Sequence, residues 1–358
     1  MKILHVDSAP GWRGGQNQVL LAASGMAARG HQVTVACRTG GVLEQRARQA
    51  GLDVRPVRFG GGDLSPRAIL GLASVLRQTR PEIVQLHDPH AVAAGWLATR
   101  LGARIATVAT RRVDFRLRGA PSRWKYASCK LVVTVSRAIA AQLERDGLAT
   151  RDLRLVYEGV ADRAAQPGGR EALAELGVPA DAPVVGNVAA LTDHKDHATL
   201  LQAAAHVLRE MPAAYFVIVG DGELRGRLEA QARALELGAH CIFAGFRNDL
   251  DRLIPAFTLF CLSSHMEGLG TSLLDAMCFA RPLVVTRAGG MPEAVDEGVT
   301  GHVVPARDAA ALARALTDLL GDLGRAREWG QAGRQRFERL FTAERMVDES
   351  LKVYQELL

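Results

Sequence analysis

A chain of 358 residues is too long for one ordinary hydrophobic core and predicts two domains of about 170 residues each. With 48% apolar residues, no apolar run of the roughly 18 residues a membrane span needs, and five scattered cysteines (37, 129, 241, 261 and 278), it predicts a reduced, cytoplasmic protein without disulfide framework or zinc site. The net charge of +6 is uneven: residues 1–165 hold 25 Lys and Arg against 12 Asp and Glu, and residues 166–358 hold 19 against 26, so the basic first half should meet an anionic partner.

The first half alternates strand-like and helix-like segments. KILHV leads into the Gly-rich turn GWRGG (11–15), then an amphipathic run over 16–29 closed by Gly30. MKILHVDS alternates like a strand and lacks the apolar stretch of a signal peptide. HQVTVAC, LDVRPV, EIVQLH, RIATVAT and KLVVTVS read as further strands with helices between them. The densest basic run, residues 110–130, carries Arg111, Arg112, Arg116, Arg118, Arg123, Lys125 and Lys130 interleaved with Phe115, Trp124 and Tyr126. Basic and aromatic side chains together favour an interfacial patch, and a solvated basic helix is the plainer reading.

A Pro-, Gly- and Ala-rich seam at 161–183 separates the halves. The rhythm then restarts with PVVGNVAAL, AAYFVIVG, HCIFAG, FTLFCLS and RPLVVT as strands, and helices over 198–209 and 224–235. Near-continuous apolar strands alternating with helices predict parallel sheets covered on both faces, an α/β chain of two doubly wound domains. Two such domains in series create a cleft, a favoured ligand site. The chain closes with an amphipathic helix or helix pair in which Phe341, Met346, Leu351, Tyr354 and Leu357 approximate a stripe.

The segment EGLGTSLLD (267–275) follows the buried strand AFTLFCLSS, so it sits at a strand's carboxyl end, where open α/β sheets bind ligands. The helix it opens exposes free N–H groups at its start, suited to phosphate. Glu267 lies before that start and Asp275 about two turns beyond it. Carboxylates beside a phosphate site face hydroxyls, as on a sugar or ribose, because facing the phosphate would be repulsive.

Several motifs line up in order: GDGELRGRLEAQARAL (220–235), GFRNDLDRL…EGLGTSLLDAM (245–277), GGMPEAVDEGVTGHVVPARD (289–308) and the terminal VYQELL. Together they make the chain resemble a group 1 glycosyltransferase, the retaining family 4 with the GT-B fold, over nearly its whole length. The resemblance implies two Rossmann-like doubly wound domains facing across a cleft. Residues 1–165 would bind the acceptor, 166–340 the nucleotide-sugar donor, and 341–358 would form a helix crossing back to the first domain.

It also implies roles. Glu267 would accept hydrogen bonds from donor-sugar hydroxyls, and Asp275, where the family has Glu, would hold the ribose. Backbone amides of Gly268, Leu269, Gly270 and Thr271 would meet the sugar and diphosphate. Asp221 and Gly222 belong to the donor loop, Phe246 and Arg247 would edge the base, and Gly14 and Gly15 would face the diphosphate. Where the family shows G-R-L-x-x-x-K, this chain reads AALTDHK (189–195): Lys195 is kept and Ala190 replaces the Arg. Arg247, Arg225, Arg111 and Arg112 are candidates for the missing charge. The family's His after the fifth strand is replaced by Arg111 or Arg112, and His87 and His90, in QLHDPH, follow the preceding strand. Lys195, Glu267 and His87 are the candidate catalytic residues, and His90, Arg111, Arg112 and Arg116 the candidate acceptor contacts. Loop or helix-cap roles are the plainer reading for both histidines.

Departure of a nucleotide leaves charge on the β-phosphate, which Lys195 and a helix N-terminus can stabilise. Asp249-Leu250-Asp251 is nominally D-x-D but reads as the acidic first turn of a helix, so no metal site and no cofactor besides the nucleotide sugar is expected. The resemblance implies retention at the anomeric carbon; the sequence identifies no enzyme nucleophile, and a same-face attack assisted by the leaving phosphate fits better than a two-carboxylate scheme. The expected partners are a nucleotide-sugar donor and an anionic glycan or lipid-linked acceptor, as in lipopolysaccharide synthesis, with the cytoplasmic face of the membrane as a candidate surface. A nucleotide-sugar epimerase, a sugar phosphorylase and a non-catalytic nucleotide-sugar binding protein are the alternatives. A dehydrogenase is excluded because GWRGG is not G-x-G-x-x-G, and no nucleic-acid module is present.

Overall fold

The structure, a computed structural model, describes residues 1–60, 62–101, 105–117 and 119–358. The chain divides into two compact units, Met1–Ala161 with Thr342–Leu358, and Asp162–Phe341. The first unit holds seven strands: β1 (Lys2–Asp7), β2 (Gln32–Arg38), β3 (Asp53–Val57), β4 (Ile83–Leu86), β5 (Ala106–Arg111), β6 (Leu131–Thr134) and β7 (Leu153–Leu155). All pair in parallel in the order β3-β2-β1-β4-β5-β6-β7. Every residue of β4 and β6 is buried, because parallel crossovers place helices on both faces.

The second unit repeats the plan with β8 (Val184–Val188), β9 (Tyr215–Val219), β10 (Cys241–Gly245), β11 (Leu259–Leu262), β12 (Leu283–Thr286) and β13 (Gly301–Val304). Their order is β10-β9-β8-β11-β12-β13, again all parallel. The strand order thus reverses between β1 and β4 in one unit and between β8 and β11 in the other. At such a point the loops leaving the two strands diverge to opposite faces and leave a crevice at the carboxyl edge.

The last helix, Ala343–Gln355, belongs to the first unit, where it packs on helix Gly14–Ala28. Thr342 starts it: its hydroxyl accepts from Arg345 N, and Ala343 N donates to Val160 O at 2.9 Å. The buried stripe is Met346, Val347, Ser350, Val353 and Tyr354. This corrects the expected stripe: Leu351 and Leu357 are only partly buried, and Phe341 closes the second unit instead. The seam at 161–183 is packed chain carrying helix Gly169–Ala174. Two short edge strands, β7 and β13, escaped the sequence pattern.

Candidate active site

In the second unit the reversal point gathers the loop after β8 and the loop after β11. The first loop ends in a 3₁₀ turn, Asp193–Lys195, followed by Asp196 in the left-handed region at φ 48°. Asp196 then caps helix His197–Glu210, its carboxylate accepting from Thr199 N at 3.3 Å and Thr199 Oγ1 at 2.7 Å. A non-Gly residue held at positive φ costs about 1–3 kcal/mol, which the cap offsets while the turn presents Lys195.

From the second loop, Glu267 meets the Lys195 ammonium in a direct ion pair. Ser264 Oγ donates to Glu267 Oε2 at 3.3 Å, and Ser263 Oγ reaches the backbone oxygens of Lys195 and Asp196 at 3.1 and 3.0 Å. Beneath them Asn187 Nδ2 donates to Cys261 O at 2.8 Å, so its Oδ1 accepts from His197 Nε2 at 3.1 Å. Burial pushes His197 down to about 4, and it stays neutral, tying the helix after the first loop back to β8. Asp193, Asp196, Asn187, Ser263 and Ser264 were not singled out in the sequence; D-x-x-T at 196–199 is a helix-start signal that marks the first turn.

Gly270, at φ 90°, turns the chain into helix Thr271–Cys278, and Gly290 N donates to Gly268 O at 3.0 Å, tying the Gly-Gly turn at 289–290 to this loop. Asp275 is one turn into the helix, not two. The donor loop lies alongside: Leu224 N donates to Leu191 O at 3.1 Å, and a Cβ on Gly222 would stand 2.5 Å from that oxygen, so only glycine fits. Asp221 caps its own loop by accepting from Gly222 N at 2.7 Å. Phe246 is 69% exposed.

The candidate replacements for the lost arginine in this unit are engaged elsewhere. Arg247 forks onto Asp249 at 2.8 and 2.6 Å, and Arg225 bonds Glu229 at 2.9 Å. Asp249 and Asp251 of the D-x-D sequence are both held by arginines, Asp251 by Arg163 Nη1 at 2.7 Å. The same guanidinium grips Asp275 through Nη2. Arg163, in the seam, carried no sequence signal. Burial pushes the Asp275 carboxyl up to about 6, the nearby Asp251 charge adds to the shift, and Arg163 works against it without cancelling it.

In the first unit the reversal point holds Asp7 at the end of β1 with Ser8 after it, and His87 and Asp88 after β4. Asp88 accepts from Ser8 N and Oγ, both at 2.6 Å, and from His90 N and Ala91 N, both at 3.0 Å, so it fastens the loops and caps helix Pro89–Arg100. His87, expected to face substrate, is only 5% exposed and lies edge to edge with His5, the ring planes 20° apart. Arg112 bonds Glu158 Oε1 at 3.0 Å, and its Cδ lies 3.9 Å from where a Cβ on Gly15 would be. Gly14 and Gly15 open the first helix, as expected.

The remaining basic residues separate. Arg111 is buried, donating to Tyr126 Oη at 3.2 Å and to Phe115 O. His90 pairs with Asp63 at 2.5 Å, and exposed Arg116 lies 3.5 Å from Asp146. Of the expected aromatic patch, Phe115 and Trp124 are exposed at 47% and 52%, while Tyr126 is core. Arg118 lies outside the described residues. Among the described residues no three His, Cys, Asp or Glu side chains gather as a metal site, and no helix is long and apolar enough to cross a membrane.

Residues 12–163 match the model of Glycosyltransferase Family 4 and residues 170–336 that of Glycosyl transferases group 1. The lipopolysaccharide core biosynthesis glycosyltransferase LpsE of Rhizobium meliloti is 31% identical over 180 residues, 50% of this chain and about half, 52%, of its own. The 2-deoxystreptamine N-acetyl-D-glucosaminyltransferase of Streptomyces fradiae is 29% identical over 356 residues, 88% of this chain and 84% of its own. Anabaena HepE, solved with UDP and glucose, superposes with a TM-score of 0.87 at 21% identity, covering 99% of this chain and 100% of its own. The chain belongs to the group 1 glycosyltransferases, an enzyme family of GT-B fold that transfers sugars.

Proposed function

We propose that the protein is a retaining, metal-independent glycosyltransferase that moves a sugar from a nucleotide sugar to an anionic glycan or lipid-linked acceptor of the cell envelope. The observation that carries this reading is the Lys195–Glu267 ion pair at the strand-order reversal of the second unit. HepE's complex with UDP and glucose and the lipopolysaccharide role in LpsE's name support the donor and the acceptor class.

Lys195 and the amides of Gly268, Leu269, Gly270 and Thr271 take up the charge that develops on the departing diphosphate. Glu267 orients the sugar through its hydroxyls. The anomeric C–O bond breaks, the acceptor hydroxyl forms the new bond on the same face, and its proton passes to the leaving phosphate oxygen. Asp221, Gly222, Phe246 and Arg247 border the nucleotide, and Asp275 accepts from the ribose hydroxyls. On the acceptor side His90, Arg112 and Arg116 offer positive or donor groups, with Arg111 supporting the loop at Phe115. A thermal-shift screen against UDP-, GDP-, ADP- and CMP-sugars tests the reading: one selective stabiliser is expected by mass action, and no response to any contradicts it.

Asp275 gives that binding a pH signature. A carboxyl raised to about 6 is protonated below that pH and loses an acceptor for the ribose. Nucleotide affinity should therefore fall about tenfold between pH 7.5 and 5, and Asp275→Asn should remove the dependence. Calorimetric titration at the two pH values checks it; equal slopes in both proteins contradict it. For the acceptor side, cosedimentation should be stronger with anionic than with neutral liposomes, because Trp124 and Phe115 are exposed beside Arg116 and Arg123. Equal, negligible binding to both contradicts a membrane role.

A further inference from the structure

Beneath the carboxyl edge of the first unit lies a buried chain of nitrogen atoms. Arg112 Nη2 meets His87 Nδ1 at 3.2 Å, Arg112 Nη1 donates to His87 O at 3.2 Å, and His87 Nε2 meets His5 Nδ1 at 2.8 Å. The guanidinium carries only donors, so His87 Nδ1 must accept. His87 is then protonated on Nε2 and donates to His5 Nδ1, which leaves the His5 proton on Nε2. That atom is buried without a partner among the described residues. One arginine thereby fixes the tautomers of two histidines in series.

The same arginine is itself fixed. Glu158 holds its Nε and the His87 backbone and ring hold one N–H on each terminal nitrogen, so two of its five N–H groups have no partner among the described residues. Those two lie just beyond β5, at the edge where a doubly wound sheet takes its ligand.

We propose that His87 is a positioning residue, not a proton shuttle: with His5 it forms a neutral strut that holds Arg112, and Arg112 is the group of the first unit that touches an anionic substrate oxygen. This rests on the glycosyl-transfer reading for the substrate and on geometry alone for the strut. Among the described residues Arg112 is the charged group that acts on both rings; Glu158 is bonded to it, and Asp7, beside Asp88, lies within its field. Burial, then the Arg112 charge, holds both rings well below the ordinary histidine range, His5 at about 3.

The test uses the whole protein with ¹⁵N-histidine, the His87 signals being assigned by their loss in His87→Asn. NMR is expected to find His87 with bare Nδ1 and protonated Nε2, unchanged from roughly pH 5.5 to 8.5, a range in which a free histidine titrates. In Arg112→Gln, whose amide can turn either face, the ring should leave this single tautomer. A proton on Nδ1, or titration of His87 through that range, overturns the strut.

In transfer assays His87→Asn, whose Oδ1 still accepts from Arg112, should lose a few-fold in rate with the pH profile unchanged; loss of a limb of that profile overturns the proposal. Arg112→Lys keeps the charge without the fork and should lower kcat/KM at least about tenfold. A rise in donor KM assigns the anionic oxygen to the diphosphate, and a rise in acceptor KM assigns it to the acceptor; kcat/KM within twofold of the parent overturns the substrate contact. Absence of any transfer leaves the NMR result standing, so the two readings fail separately.

Discussion

Lys195→Ala and Glu267→Gln are each expected to lower kcat/KM for sugar transfer about 10²–10³-fold, the cost of losing one preorganised group at a developing charge. The two residues come from loops that leave neighbouring strands in opposite directions, and each is braced. Lys195 ends a turn held by the Asp196 cap and the Ser263 hydroxyl; Glu267 is braced by the Ser264 hydroxyl. On the proposed reading, removing the ammonium takes a cation from the leaving diphosphate and breaks the Lys195–Glu267 ion pair. Lys195→Arg should not restore the rate, because a planar fork does not occupy the place of a point charge. The double variant should cost little more than either single one, since residues that act as a unit are not additive. Steady-state kinetics on the parent and the four variants tests this, and rates within threefold of the parent for both Lys195→Ala and Glu267→Gln contradict it.

Tyr354→Ala is expected to cost the first unit about 3–5 kcal/mol, the range for truncating a large buried aromatic side chain. Tyr354 is fully buried, and with Met346, Val347 and Val353 it packs into the same core as Val19, Ala23 and Met26 of the first helix. Its hydroxyl has no partner among the described residues, and a buried unpaired hydroxyl costs about 1–3 kcal/mol. Tyr354→Phe should therefore leave stability unchanged or raise it. Urea unfolding of the three proteins separates shape from hydrogen bonding. A Tyr354→Phe loss above about 1 kcal/mol contradicts the account.

Periodicity made most of this fold readable. HQVTVAC, EIVQLH, AAYFVIVG and RPLVVT are long enough, and buried enough on both faces, to stand out as strands. β7 and β13 are edge strands of three and four residues with mixed burial, too short to show a period. The closing helix was readable, but its face was misplaced: Leu351 and Leu357 are apolar yet lie at the rim, whereas Val347 and Val353 sit in the core. At the site, Lys195, Glu267 and Gly270 were legible because their motif order survives. The Asn187–His197 bond, the Arg163 grip on Asp275 and the Arg112–His87–His5 chain were not, since each depends on side-chain hydrogen bonds that leave no local pattern. His87 shows the limit most clearly: residue type and position fit a catalytic base, while both its ring nitrogens are already engaged.

The most direct measurement is a calorimetric titration, in EDTA, of the nucleotide sugar selected by the thermal screen into the parent protein and into Lys195→Ala. Saturable binding by the parent and at least tenfold weaker binding by the variant is the result expected if Lys195 holds the diphosphate without a metal. Equal affinities, or binding by the parent that disappears in EDTA, would contradict it.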